Sequence, residues 1–268
     1  MNKCESVTSP LMRSMALLLA AFLAGCGGGG QDPILGTGAT VTAGPGPGPG
    51  PGPVAASCAG PGPVDMGAAT NFGVLVGPAG GATLTNNGLA TTVNGDVGAA
   101  SIVTAPTVGP GFTVYTGVDA PYVAAKAAML AAIVCASGRT CDFNYPGATD
   151  FATVVGLTAG VHCVVGAMSV GSNLTLSNPG VYIFRSSGNL TSANTINLTF
   201  GGTANATNTS IFWVPTGFAS IGANNAFLGT IMPDGSAATT LGANTTLLPG
   251  RAFSNSDVNL NTNTITIP

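Results

Sequence analysis

The sequence predicts a mainly β fold, a solenoid of stacked coils with one long helix against its flank, and three observations lead there. The first is a repeat. Ser220-Ile-Gly-Ala-Asn-Asn-Ala-Phe227, Thr240-Leu-Gly-Ala-Asn-Thr-Thr-Leu247 and Asn259-Leu-Asn-Thr-Asn-Thr-Ile265 align on Ile221, Leu241 and Leu260, in steps of 20 and 19 residues. That is the length at which one solenoid turn returns to the same face. The second is composition: only 6% of residues are charged, against about 25% in ordinary soluble domains. With 41 Gly among 268 residues, the chain can turn the many corners that stacked short strands require. The third is a single Ala-rich segment, Ala120 to Ala136, with helical start and stop signals.

Taken in order, residues 1–25 read as an export signal. Lys3 and Arg13 supply positive charge, Met15 to Ala24 an apolar run too short to span a membrane, and Leu23-Ala-Gly-Cys26 resembles a bacterial lipobox. The lipobox resemblance implies acylation of Cys26 and a membrane-held amino terminus. Gly27 after it favours the outer membrane or cell surface, and extracellular release is the alternative. Residues 26–63 form a Gly/Pro spacer, with strict Gly-Pro alternation from Gly44 to Pro53. Proline at every second position forbids helix and sheet ladders and favours a polyproline-like stalk.

The domain is expected over residues 64–268. Short β pieces at Phe72 to Val76, Ala82 to Leu84 and Thr91 to Val97 open it, with Asn94-Gly95 as a tight turn. In the helix that follows, Asp119 can cap the first turn and Pro121 suits it. Its only charge is Lys126, so it should be mostly buried. Beyond it, Val181 to Phe184, Ile211 to Val214, Phe227 to Ile231 and Arg251 to Phe253 look like equivalent strands on one buried wall. The Ala-Asn-Thr rungs would form another wall. Trp213 and the phenylalanines, lying in continuous apolar runs, belong to the core.

Composition narrows the chemistry. A net charge of −3 without clustered Lys and Arg gives no case for nucleic acid. Past the signal there is no Glu, and eight scattered Asp do not suggest a carboxylate pair for glycoside cleavage. His162 is the only histidine, no Gly-x-Ser-x-Gly accompanies it, and it reads as a structural or surface residue. Without Cys-x-x-Cys no metal site is expected. Neither cofactor nor catalytic residue is predicted, and the domain is expected to be monomeric. Past the signal and the acylated Cys26, four cysteines remain: Cys58, Cys135, Cys141 and Cys163. An exported protein tends to pair them, in any of three ways.

The rungs also resemble the repeats of the microbial ice-binding (antifreeze) protein family. Asn71-Phe-Gly-Val-Leu-Val-Gly77, Thr91-Thr-Val-Asn-Gly-Asp-Val-Gly98, Leu157-Thr-Ala-Gly-Val-His-Cys163, Asn178-Pro-Gly-Val-Tyr-Ile-Phe184 and Leu248-Pro-Gly-Arg-Ala-Phe253 carry the likeness in order and spacing. The resemblance implies an irregular right-handed β-solenoid with one long α-helix packed along its side, and adsorption to ice without catalysis. It favours a Cys141 to Cys163 bridge, leaving Cys58 to Cys135, with a local Cys135 to Cys141 bridge as the competitor. A stiff grid of small uncharged groups suits ice: threonine offers a methyl that orders water and a hydroxyl that joins its hydrogen bonds, at little rotamer cost. Outward positions are expected at Ala193, Thr195, Ala223, Asn225, Ala243, Thr245, Thr262 and Thr264, with Ser220, Thr240 and Asn259 at the edge. A slip of one residue would exchange this set for its neighbours. The alternative partner is a glycan, bound by a cell-surface adhesin or carbohydrate-binding module on the same scaffold.

Overall fold

The computed structural model describes Cys58, residues 60–77 and residues 81–268; the expected export signal, Cys26 and nearly all of the spacer lie outside the described residues. The domain is a solenoid with three walls, and every strand pairing in it is parallel. The helix-covered wall runs Phe143–Tyr145, Gly160–Val164, Gly180–Ser186, Thr209–Pro215, the later halves of Ala226–Ile231 and Thr246–Ser254, then Phe72–Val76, Asp96–Ala99 and Val114–Thr116. The open wall runs Thr149–Asp150, Met168–Val170, Leu190–Ser192, Ala219–Ile221, Thr239–Leu241, Val258–Leu260, Thr83–Asn86 and Ser101–Ile102. A third wall joins Leu174–Leu176 and Leu198–Phe200 to the early halves of Ala226–Ile231 and Thr246–Ser254, then Thr264–Thr266, Thr92–Asn94 and Thr107–Val108.

Spatial order differs from chain order. The first coil, Phe72 to Asn94, pairs with the last, through Val74 with Ala252, Leu84 with Val258 and Val93 with Ile265. From that junction the chain builds one end of the stack and crosses to the other through the helix Ala120–Gly138. It then stacks coils from Phe143 back to Ile265. Nineteen residues span about 28 Å, a large part of the stack's height. The helix is therefore the return connection that lets the last coil hydrogen-bond to the first.

The helix is less buried than its composition suggests. Seven of its 19 residues are buried, among them Tyr122, Ala125, Met129, Ile133 and Ala136. They meet Phe72, Leu75, Ile183, Phe212, Val214 and Phe253 on the covered wall. The opposite face is mostly alanine, and Val134 is 69% exposed, so low charge here reflects small side chains rather than all-round burial. Asp119 does not cap the helix as expected; its Oδ2 accepts from Thr116 N at 2.7 Å and closes the preceding turn. Asn94-Gly95 forms no hairpin. It is a corner between parallel strands, and a Cβ at Gly95 would sit 2.7 Å from Gly73 N, so only glycine lets the coils approach.

Inside, aliphatic and aromatic residues stack coil upon coil. Phe143, His162, Phe184 and Trp213 lie in one register column, with successive ring centroids 4.6, 5.1 and 4.2 Å apart. The strands expected on one wall, carrying Ile183, Phe212, Thr230 and Arg251, are indeed neighbours there. The buried Arg251 guanidinium ties the domain's beginning to this wall, its Nη2 donating to Thr70 O at 2.8 Å. Burial lowers its pKa to about 10.

His162 is structural. Its Nε2 donates to the Thr158 carbonyl at 2.9 Å, so Nδ1 is the acceptor for the Tyr145 hydroxyl at 3.0 Å. Burial pushes its pKa below the ordinary range for an imidazole, partly opposed by the Thr158 carbonyl and by Asp142. The unfolded chain takes up the proton that the folded chain resists. The stability from neutral burial is therefore complete above the unfolded value and is lost progressively as pH falls below it. Thermal denaturation from about pH 7 to about pH 5 should show the wild-type midpoint falling, and His162→Phe should flatten that slope. Trp213→Ala, which empties the centre of the ring column, should cost about 3–5 kcal/mol in urea denaturation.

Candidate functional site

The open wall is the candidate. Along each of its strands, residues alternate between core and solvent. Met168, Leu190, Ala219, Thr239, Val258 and Leu84 point inward in register. One position on, Asp150, Ser169, Thr191, Ser220, Thr240, Asn259 and Thr85 form a single outward row. At about 4.8 Å per coil, these seven rungs cover about 29 Å. Asn259 Nδ2 donates to Thr240 Oγ1 at 3.3 Å, which fixes one rung against the next. Asp150, at the end, turns its carboxylate back to Ala152 N and Gly171 N.

Apart from Asp150 at the end of the row, formal charge lies elsewhere. Arg139, Arg185 and Arg251 belong to the covered wall and helix terminus, where each donates to a backbone carbonyl, and Lys126 sits over the Tyr122 ring. Carboxylates serve the backbone: Asp65, Asp96, Asp119, Asp142, Asp150 and Asp257 each accept a main-chain N–H. Such bonds close the turns between coils.

The Ala-Asn-Thr rungs do not form a wall of their own. They turn the corner between the open and third walls. Thr195, Asn224, Asn244 and Thr262 stack there at φ of 54° to 59°, and the amides of Thr195, Asn224 and Asn244 bond to the next coil. A left-handed residue breaks strand alternation, so the inward positions of one rung are Ile221, Asn225 and Phe227. Asn225 and Thr245, expected outside, are buried to 2% and 0% exposure. Asn225 Nδ2 donates to Ser192 Oγ and Ala193 O, both at 2.8 Å, and its Oδ1 accepts from Ile196 N. Thr245 Oγ1 donates to Gly222 O at 2.6 Å, and Asn263 Nδ2 to Gly242 O at 2.8 Å. These inward side chains satisfy backbone groups that the corner frees.

The other expected residues divide between places. Ala193 and Thr195 are exposed at the corner, and Ala223, Ala243 and Thr262 are half-buried there. Thr264 belongs to the third wall, in register with Thr246, Thr92 and Thr107. That second row meets a bulge between Phe227 and Gly229 and a Leu248 left 53% exposed, so the wall is not flat. Ser220, Thr240 and Asn259 occupy the middle of the open wall, not its edge. Thr85, Ser169 and Thr191 were missed. The signal for Thr85 was Thr83-Leu-Thr85, but the span from Leu84 to Val93 is two residues longer than its partner from Val258 to Ile265.

Cys141 and Cys163 form a disulfide that joins the segment after the helix to the strand Gly160–Val164. Cys58 and Cys135 are unbridged in this structure.

A profile of the ice-binding-like family matches residues 79–266. Among solved structures, an ice-binding protein from an Antarctic biological consortium is 25% identical, covering 76% of this chain and 91% of that one, with a TM-score of 0.63. One from the Antarctic ascomycete Antarctomyces psychrotrophicus is 24% identical over 76% and 98%, with a TM-score of 0.65. A glycosylated one from an Arctic yeast is 23% identical over 76% and 94%, with a TM-score of 0.62; the last two speak for the fold alone. No curated protein matches. With an open wall whose outward row is uncharged from Ser169 to Thr85, on a helix-backed solenoid, and a family profile spanning most of its length, the chain belongs to the ice-binding-like family.

Proposed function

We propose that the domain adsorbs to ice through the open wall, slowing crystal growth or recrystallisation or holding the cell to ice. The carrying observation is the in-register row Ser169, Thr191, Ser220, Thr240, Asn259 and Thr85, uncharged and covered by no other element. Ice is a periodic solid of water, so a binder gains when its polar atoms repeat at a fixed step and cannot relax away. Here backbone ladders set the step, and β-branched side chains hold their rotamers. Each contact is weak, and affinity comes from many made together on a pre-organised plane. The adhesin or carbohydrate alternative finds no support in the family or in the matched structures.

The open wall is favoured over the third because its strands pair without a bulge. A rigid flat partner tolerates no protruding side chain such as Leu248. Acylation at Cys26 would hold the amino terminus at a membrane, with the Gly/Pro spacer setting the domain at a distance from it. This part of the reading rests on the sequence pattern of residues 1–63.

Three measurements check this reading. Thr240→Tyr should lower thermal hysteresis by roughly half or more, because one ring lifts neighbouring rungs off a solid surface, while Thr264→Tyr and Ala131→Tyr keep most of it. Equal losses at Thr264 would move the site to the third wall. Thr245→Val should instead cost about 1–3 kcal/mol of stability by stranding the Gly222 carbonyl, with hysteresis unchanged at temperatures where the variant is folded. Cys26→Ala in the full chain should shift the protein from the membrane fraction to the medium.

A further inference from the structure

The chain from Cys58 to Ala69 lies against the helix at several points. A Cβ on Gly67 would touch Ala128 Cβ at 3.3 Å. Val64 and Met66 pack in the cluster that contains Met129, Ile133 and Cys135. Past the helix end, Arg139 Nη1 donates to Gly62 O at 2.7 Å. This path brings Cys58, which is exposed, to the helix end, where it lines one cavity with Gly138 and Arg139, about one turn from the buried Cys135.

We infer that Cys58 and Cys135 close as a second disulfide, a covalent staple between the chain leading into the domain and the helix that backs the solenoid. The oxidant is a protein disulfide donor of the thiol-oxidoreductase class. The accessible Cys58 thiolate attacks the donor's sulfur–sulfur bond, forming a mixed disulfide and releasing one donor thiolate. Cys135 then loses its proton and attacks the Cys58 sulfur, and the second donor thiolate leaves. Two protein thiols are oxidised and one donor disulfide is reduced. Burial raises the Cys135 pKa, the neighbouring Cys58 raises it further, and Arg139 acts in the opposite direction. The accessible Cys58 is therefore the first to react, and Cys135 resolves.

The staple has a mechanical consequence. Force applied upstream of Cys58 would pass into the helix and its packed cluster, rather than peeling the Phe72–Val76 strand from its two neighbours. It also closes a loop of 77 residues, Cys58 to Cys135, which restricts the unfolded chain.

The test uses the full chain purified without reductant, alkylated with iodoacetamide and mapped by mass spectrometry. The Cys141–Cys163 peptide pair reports that the preparation is oxidised. With that pair linked, a Cys58–Cys135 peptide pair and no alkylated Cys58 is expected. Alkylated Cys58, or a Cys135–Cys141 link, overturns the inference. Cys58→Ser removes only an exposed thiol, so its melting temperature should fall by ~5 °C or more relative to the oxidised parent; an unchanged value also overturns it. Ice activity enters neither readout, so the outcome is independent of the ice-adsorption proposal.

Discussion

Each coil donates and accepts backbone hydrogen bonds to the coils on either side, in register, and that requirement governs both the interior and the surface. Parallel in-register pairing puts like positions over one another. An inward column must then be filled by groups that tolerate their own neighbours, as Phe143, His162, Phe184 and Trp213 do by stacking. The same rule orders the outside without further expenditure of contacts. Once Thr240 faces solvent, Ser220 and Asn259 face it too, one coil away on each side.

Corners are where this economy is tested, because a turning chain leaves amides and carbonyls unpaired. Here the solution is chemical. Asn225, Thr245 and Asn263 turn inward and bond to those groups, while Asn224, Asn244, Thr195 and Thr262 adopt the left-handed conformation that makes the bend. Asparagine tolerates that region well and threonine poorly; Thr195 is held there by its amide bond to Ala223 O in the next coil, and Thr262 Oγ1 donates to the neighbouring Asn261 Oδ1. Glycine completes the corner: a Cβ at Gly242 would lie 2.6 Å from Ala223 N. Aspartates do similar work elsewhere, accepting main-chain N–H groups at turns. A chain with few charges thus keeps them mostly at the joints, and the open wall carries only Asp150, at its end.

The helix resolves a topological problem. Parallel stacking cannot bring the last coil beside the first unless something carries the chain across the stack. The helix does so and buries one face on the covered wall. Its outer face remains alanine-rich and exposed, which hydropathy alone cannot distinguish from burial. The covered wall is thereby withdrawn from solvent, and the bulged third wall is uneven, leaving one broad flat surface.

The sequence by itself determined the solenoid, its coil length, the position of the helix, the burial of Trp213 and of most phenylalanines, though not of Phe143 and Phe218, the family resemblance and the neutrality of the rungs. These follow from local pattern: aliphatic spacing, the Ala-rich run with Pro121 near its start, and a near absence of Lys, Arg and Glu. What the tertiary structure alone decided is which rung atoms face out. Alternation predicts orientation only while the backbone stays extended, and one left-handed residue per rung resets the phase, sending Asn225 and Thr245 inside. Nor could local pattern place Thr85 beside Asn259, 174 residues away in sequence, because that neighbour exists only after the helix has carried the chain across the stack and the last coil has paired with the first.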